Sequence, residues 1–322
     1  MPRCLLYKWQ PGWGLASISP ACLEVEAYMR FASIYFAVEN CTYTHTSPTG
    51  QQPALDVRGE LISDDNEDRA ARLIIDHLKE NVKDLDANLS QFDRADLTAF
   101  RTLVQTILEP ASLCTMWLEA DSYSTYTQAR YGQGLPFPLF FILPRIQQFH
   151  VRQSLAHTTP EQIYESLEPA YAALAERLNS SDGNYMFGAN PSSLDALLFG
   201  HLAFHAAAPV SCPEIQHQLR QHPVLKEYVD RISKDFFETP VPFGASIMSQ
   251  EWNQRAQAAA RGASGRAEKQ QHAQAEEELD RSGKIWLGAA AAAVVAFCLF
   301  SGQYITIAGG YEFEDEDDGD DM

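Results

Sequence analysis

The sequence predicts an α+β body in two parts, followed by a polar linker and one apolar membrane-spanning helix. Three observations lead there. Strand-like and helix-like segments alternate over roughly the first 80 residues. Helical segments alone follow, and such segregation of strands from helices is the pattern of an α+β body. Beyond residue 239 the patterning fades, until a long run without charge begins at Ile285. The expected boundaries are 1–82 for the α/β unit, 83–238 for the all-helical unit, 239–284 for the linker, 285–308 for the span and 309–322 for an acidic tail.

In the first unit, CLLYKW at 4–9 reads as a strand, and the Pro/Gly-containing QPGWGLASISP as a loop. Ala21 to Ser33 reads as a helix with Cys22, Val25, Met29 and Ala32 on one face. IYFAVENCTY at 34–43 is rich enough in aromatic and β-branched residues for a second strand. After the polar THTSPTGQQ and Pro53, ALDV and ELI form two short strands across an Arg58–Gly59 turn. EDRAARLIIDHLK at 67–79 closes the unit as a helix. Helices are then expected over 94–118, 122–131, 137–150, 160–179, 192–206 and 222–237, each bounded by Pro, Gly, Ser or Asn.

From Ile285 to Tyr311 no residue is charged. A bilayer core of ~30 Å needs ~20 helical residues, so this run is long enough to span, with Trp286 and Tyr304 near the two interfaces. Arg281 and Lys284 precede the span and no basic residue follows it. The positive flank therefore places the body in the cytosol and the tail on the far side. The opening MPRCLLYKW has the pattern of a strand rather than of a secretory or transit leader, so a tail-anchored topology is expected.

The chain has 24 Lys and Arg against 43 Asp and Glu, a formal charge of −19. Such a balance excludes a general nucleic-acid binder, which needs basic patches. The tail YEFEDEDDGDDM reads as a solvated like-charge run. Cys4, Cys22, Cys41, Cys114, Cys212 and Cys298 form no CxxC pair, and scattered cysteines in a cytosol-facing chain read as thiols. His201 and His205 lie four apart on one helix face. They lack a neighbouring third ligand and read as structural rather than as a metal pair. Ser192 and Asp195, in NPSSLDALLFGHLAFH, form an S-x-x-D capping pattern, so Asp195 is expected to be structural.

A small α/β half followed by a helical half is the layout of glutathione transferases, and the resemblance sharpens several residues. Pro53 stands where that fold places a cis-proline before its third strand. The thiolate-stabilising position near the first helix offers Ser17, Ser19 and Cys22, and a helix N-terminus lowers a thiol pKa. The position that holds the γ-glutamyl end reads Ser63-Asp64-Asp65, where carboxylates meet a ligand that is itself a carboxylate. Glutathione chemistry is therefore not expected, and Cys22 reads as a packed helix residue.

Within that layout the chain resembles the metaxins. The resemblance rests on Trp13-Gly14-Leu15, Ser17, Pro20, Cys22-Leu23, Val25 and Tyr28, on RLIIDHLKENVKDLDANL at 72–89, and on residues 163–209, which look most like plant and algal members. It implies a thioredoxin-like first domain and no catalytic, cofactor or metal residues. It also implies a cytosol-facing place at the mitochondrial outer membrane, in the sorting and assembly machinery that inserts β-barrel precursors. The implied partners are the β-barrel core subunit, its companion subunits and precursor proteins, with no nucleic acid. Trp13, Gly14, Leu15, Cys22, Pro53, Ser192 and Asp195 are then a structural family motif. The alternatives are a tail-anchored protein of mitochondrial shape and fission, which the short loops between 118 and 137 disfavour, and a membrane-bound glutathione transferase.

Overall fold

The computed structural model describes residues 4–42, 47–209, 214–238 and 241. The expected span 285–308, most of the linker and the acidic tail 309–322 lie outside the described residues. Among the described residues no helix is long and apolar enough to cross a membrane.

The first part is a four-stranded sheet in the order β2-β1-β3-β4. β1 (Cys4–Trp9) pairs in parallel with β2 (Phe36–Cys41), with Cys4 opposite Phe36, and antiparallel with β3 (Ala54–Val57), with Leu6 opposite Leu55. β4 (Glu60–Ile62) completes a hairpin with β3. Its Arg58–Gly59 turn has positive φ at both residues, and the Asp56 carboxylate accepts from the Gly59 N–H at 2.6 Å. α1 (Pro20–Phe31) joins β1 to β2, and α2 (Glu67–Asn81) follows β4.

The sequence predicts one apolar face on α1. In the structure every residue of α1 except Arg30 is buried, because the sheet half covers one side and the helix Ser193–Ala207 of the helical half covers the other. Two acids go down with it. Glu26 meets the Lys8 ammonium at 2.8 Å and the Arg30 guanidinium at 2.7 Å, the pairing that a buried carboxylate requires. Arg30 also donates to the Phe236 carbonyl and lies over the Phe237 ring. One buried acid thus ties β1, α1 and the last helical turn together.

The second part is helical throughout. α3 (Gln91–Leu103), α4 (Glu109–Leu113), α5 (Ala120–Ser122) and α6 (Gln128–Tyr131) are linked by wide turns at Val104–Leu108, Cys114–Leu118 and Tyr123–Thr127. The sequence predicts plain helices over 94–118 and 122–131. The first wide turn has a local cause. Pro110 has no N–H to give the Thr106 carbonyl and its ring crowds that group, so the ladder slips to an i+5 bond, Glu109 N–H to Val104 O. α7 (Leu139–Ser154), α8 (Pro160–Asn179), α9 (Ser193–Ala207) and α11 (Pro223–Ile232) follow the predicted order. α10 (Glu214–Arg220) is not anticipated by the sequence pattern, since seven residues carry too little periodicity.

α9 is the central helix of the body, buried from Ser193 to His205. Its most extensive contact is with α1. A Cβ on Gly200 would lie 2.5 Å from the Pro20 carbonyl oxygen and 3.2 Å from the Glu24 nitrogen. Glycine is what allows the two backbones to touch.

Two carboxylates clasp the N-terminus of α9. Asp195 accepts from Ser192 N–H (2.8 Å), Ser192 Oγ (2.6 Å), Met186 N–H (3.0 Å) and Tyr228 OH (2.8 Å). Asp86, from the segment joining the two parts, accepts from Ser193 N–H (2.8 Å) and Ser193 Oγ (2.6 Å). Lys79 pairs with Asp86 at 2.8 Å and Arg101 donates to Ser193 Oγ at 2.9 Å.

Three outcomes follow for chemical or thermal unfolding. Gly200→Ala is expected to cost about 1–3 kcal/mol through overpacking, because the atoms it meets are backbone and do not rotate away. Asp195→Ala is expected to cost roughly 3 kcal/mol or more, since it strands the Met186 N–H and Tyr228 OH inside the protein. Ser90→Ala, at the exposed cap of α3, should cost about 1 kcal/mol.

Candidate functional site

Where a glutathione transferase would work, the loop after β1, the start of α1, the cis-proline loop and the start of α2 converge. The Gln52–Pro53 bond is cis. Ser17 Oγ donates to the Trp9 carbonyl at 2.9 Å. Ser19 caps α1, its Oγ accepting from Cys22 N–H at 3.3 Å and donating to Glu67 Oε2 at 2.6 Å. Trp9 Nε1 donates to the other Glu67 oxygen at 2.8 Å. Both hydroxyls are thus engaged within the protein.

Cys22 stands in the first turn of α1, where the helix field favours a thiolate. Burial wins over that field. Cys22 has no exposed surface and packs among Trp9, Ile18, Trp117, Tyr131 and Phe204. Desolvation, with the nearby Glu67, drives its thiol well above the ordinary range. Cys4, Cys41 and Cys114 are likewise buried thiols.

The γ-glutamyl-holding position is used internally. Ser63 Oγ donates to the Pro53 carbonyl at 2.9 Å. Asp64 accepts from Asn66 N–H at 3.0 Å, and Asn66 caps α2 through the Arg69 N–H at 2.8 Å. Gln51 donates to Asp65 at 3.4 Å.

The Trp13-Gly14-Leu15 stretch is a two-residue turn. Gly12 and Leu15 exchange both backbone hydrogen bonds, and Trp13 (φ 56°) and Gly14 (φ 81°) both occupy left-handed backbone. A type I′ turn demands this, and glycine meets the demand without strain. The turn sets the Trp13 ring edge-on to Phe204 of α9, centroids 6.2 Å apart.

Between the two parts lies a cleft of about 780 Å³. It is lined by the acids Asp64, Asp65, Glu67, Asp68 and Glu109 and by Trp9, Met116, Trp117, Tyr131, Leu143 and Val151. The acids are crowded. Burial raises Glu67 to about 7, opposed by its bonds to Ser19 and Trp9. Burial and the facing Asp68 raise Glu109 to about 9. Burial raises Glu24, beneath them on α1, to about 8.

His201 and His205 of α9 are buried, and desolvation holds both near 3, hence neutral. They belong to a chain of hydrogen-bonded side chains. Tyr171 OH meets His205 Nδ1 at 2.8 Å, His205 Nε2 meets Ser112 Oγ at 2.8 Å, and Ser112 Oγ meets His201 Nδ1 at 3.0 Å.

Comparison with known proteins agrees with this geometry. A family model described as an outer mitochondrial membrane transport complex protein matches residues 22–148, and a glutathione S-transferase C-terminal domain model matches 167–232. Metaxin-1 of Sus scrofa is 31% identical over 244 residues, covering 72% of this chain and 74% of that protein. Metaxin-1 of Bos taurus is 34% identical over 227 residues, 67% and 69% of the two chains. This chain belongs to the metaxin family. Among solved structures, the β-etherase LigF of Sphingobium sp. strain SYK-6 superposes with a TM-score of 0.51 at 17% identity, over 73% of this chain and 99% of that one. Glutathione transferase GSTFuA3 of Phanerochaete chrysosporium gives 0.50 at 13%, over 72% and 96%. These likenesses establish a glutathione-transferase-like fold.

In this metaxin the residues singled out by sequence do not meet in one site. Trp13, Gly14 and Leu15 form a turn, Cys22 fills a core and Pro53 ends a loop, while Ser192 and Asp195 secure α9. Sequence reasoning missed Asp86, Glu67, Asp68, Glu109 and the Tyr171–Ser112 pair around the histidines. Glu67 and Asp68 carry the only signal, and it is ambiguous. Acids in the first turn of a helix are ordinary dipole partners, and nothing local says they face a cleft.

The pH dependence follows from these groups. An acid raised in the folded state keeps a proton that the unfolded chain, near 4.5, has released, so stability falls as pH rises toward 7, 8 and 9. Neutral buried histidines act on the other side, losing stability as pH falls below about 6.5. Asp86, held below its ordinary value by Lys79 and Ser193, loses its contribution only in stronger acid. Between about pH 4.5 and 6.5 the three raised acids outweigh the two depressed histidines, so thermal stability is expected to be greatest at about pH 5 and to decline toward pH 9. In Glu109→Gln the alkaline decline should be shallower.

Proposed function

We propose that this metaxin is a non-enzymatic subunit of the sorting and assembly machinery of the mitochondrial outer membrane, aiding protein import and β-barrel insertion. The observation that carries this reading is the family match over residues 22–148, whose model describes an outer mitochondrial membrane transport complex protein, together with identity to metaxin-1 along most of the chain. In this reading residues 1–82 and 83–238 form the cytosolic body, 239–284 link it to the membrane, 285–308 span it once, and 309–322 enter the intermembrane space.

A binding rather than catalytic role is supported by the state of the old thiol site. Cys22 is sealed, Ser17 and Ser19 are engaged, and carboxylates occupy the ligand-carboxylate position. An adaptor also needs a contact surface. Phe137, Phe141 and Phe149 recur at spacings of four and eight along α7 and its entry, and Ile146 is exposed farther round the helix, toward the cleft. Phe137 is 82% exposed, and the other three are more than two-fifths exposed. Clustered exposed aromatics of this kind mark protein contacts, and the proposed occupant is the β-barrel core subunit.

Gentle solubilisation and affinity purification of the native chain should recover an outer-membrane β-barrel protein, and its loss should impair barrel assembly. Phe141→Ser/Phe149→Ser should reduce that co-purification at least tenfold while leaving the unfolding midpoint within a few degrees. A chain that runs alone, with barrel assembly intact in its absence, overturns the reading.

A further inference from the structure

The cleft between the two parts is intact even though its thiol chemistry is gone. Its wall chemistry differs from that of a site for an anionic tripeptide. Five carboxylates, Asp64, Asp65, Glu67, Asp68 and Glu109, line it with one guanidinium, Arg69, and a second, Arg72, meets Glu109 at 3.7 Å. Arg69 is largely exposed and is already engaged with Asp64 at 3.6 Å. Aromatic and aliphatic side chains line it too, with Trp9, Trp117 and Tyr131 in one aromatic group whose adjacent rings meet edge-on or tilted, centroids 4.6 and 4.8 Å apart.

A second observation is independent of the acids. His201, 2% exposed, also lines the cleft, and its Nε2 has no hydrogen-bond partner among the described residues. Its other nitrogen is held by Ser112 at 3.0 Å, so the ring is fixed in place. Buried polar atoms are rarely left unpaired, and one on the wall of a cavity points to a ligand group that pairs with it. The volume of about 780 Å³ lies in the range of small-ligand sites.

We propose that this cleft binds a small organic cation, an ammonium or guanidinium group carried on an aromatic or aliphatic body. The cation sits among the carboxylates after β4 and on α4. The body lies against Trp9, Trp117 and Tyr131, where aromatic faces also favour positive charge. A polar group on the body reaches His201 Nε2. The crowding that holds protons on Glu67 and Glu109 is relieved when a cation enters. This inference does not depend on the import reading, because it concerns what the body binds and not what it assembles with.

The test uses the full chain in detergent, titrated with 4-phenylbutylamine, with the matched anion 4-phenylbutyrate, and with reduced glutathione, while tryptophan fluorescence is followed. Trp9 and Trp117 report from the cleft wall. The amine is expected to give a saturable change, and the anion and glutathione at least tenfold weaker ones. Asp64→Asn/Asp65→Asn, conservative changes at the rim, should weaken the amine at least fivefold without moving the unfolding midpoint. Glu67→Gln should weaken it further. Micellar partition of the amine would be the same in every variant, so an unchanged response in the rim variant overturns the proposal. Equal binding of amine and anion, or preference for glutathione, also overturns it. Binding seen only when the cation is an arginine within a short apolar peptide overturns the small-ligand assignment. None of these outcomes bears on co-purification of a barrel partner, so the two readings fail separately.

Discussion

The contact between α1 and α9 is the constraint on which the rest of the body depends. α1 belongs to the sheet and α9 to the helical half, and at Gly200 their backbones come within the reach of a single methyl group. That approach removes both helices from solvent on every side. It forces Glu26 to find Lys8 and Arg30. It also brings α9's first turn to the segment that joins the halves, where Asp86 closes the clasp. The two parts are consequently one folded body, and the cleft between them has walls that hold their shape.

The same contact explains the fate of the thiol position. The turn at Trp13-Gly14 leans the loop after β1 toward Phe204 of α9, and Cys22 is enclosed with Trp9, Trp117 and Tyr131. A helix N-terminus favours a thiolate by a modest amount, while complete removal from water opposes it by far more. Desolvation decides. The hydroxyls that would otherwise be offered to a ligand, Ser17, Ser19 and Ser63, satisfy buried backbone or carboxylate groups instead. The fold is that of a transferase, while these hydroxyls and the thiol are turned to internal partners.

Much of the architecture was legible in the chain. β1 over 4–9, the Arg58–Gly59 hairpin, and the helices beginning at 67 and over 160–179 follow from local periodicity, turn chemistry and caps. The wide turns around Pro110 and the short α10 were not legible. A ladder slip depends on neighbours that absorb it, and seven residues do not establish a period. The face expected of α1 is buried, but so is nearly all the rest of the helix, for a related reason. Periodicity reports which residues are apolar, not how many sides are covered.

Two S-x-x-D caps separate what each level of description decides. Ser90–Asp93 and Ser192–Asp195 are the same local device, reading alike in sequence. Ser90 and Asp93 sit in water, where solvent replaces any bond they lose. Ser192 and Asp195 are buried, and the Asp195 carboxylate also serves Met186 and Tyr228 from distant segments. The sequence by itself determined the order of elements, the caps, the acidic balance and the family. Only the tertiary structure decided which cap is indispensable, that Cys22 is sealed, that Asp86 closes α9, and that five carboxylates share one cleft with His201, whose Nε2 has no partner among the described residues. The reason is physical: propensity and periodicity are set by near neighbours along the chain, whereas desolvation and ligand geometry are set by whatever the fold brings near.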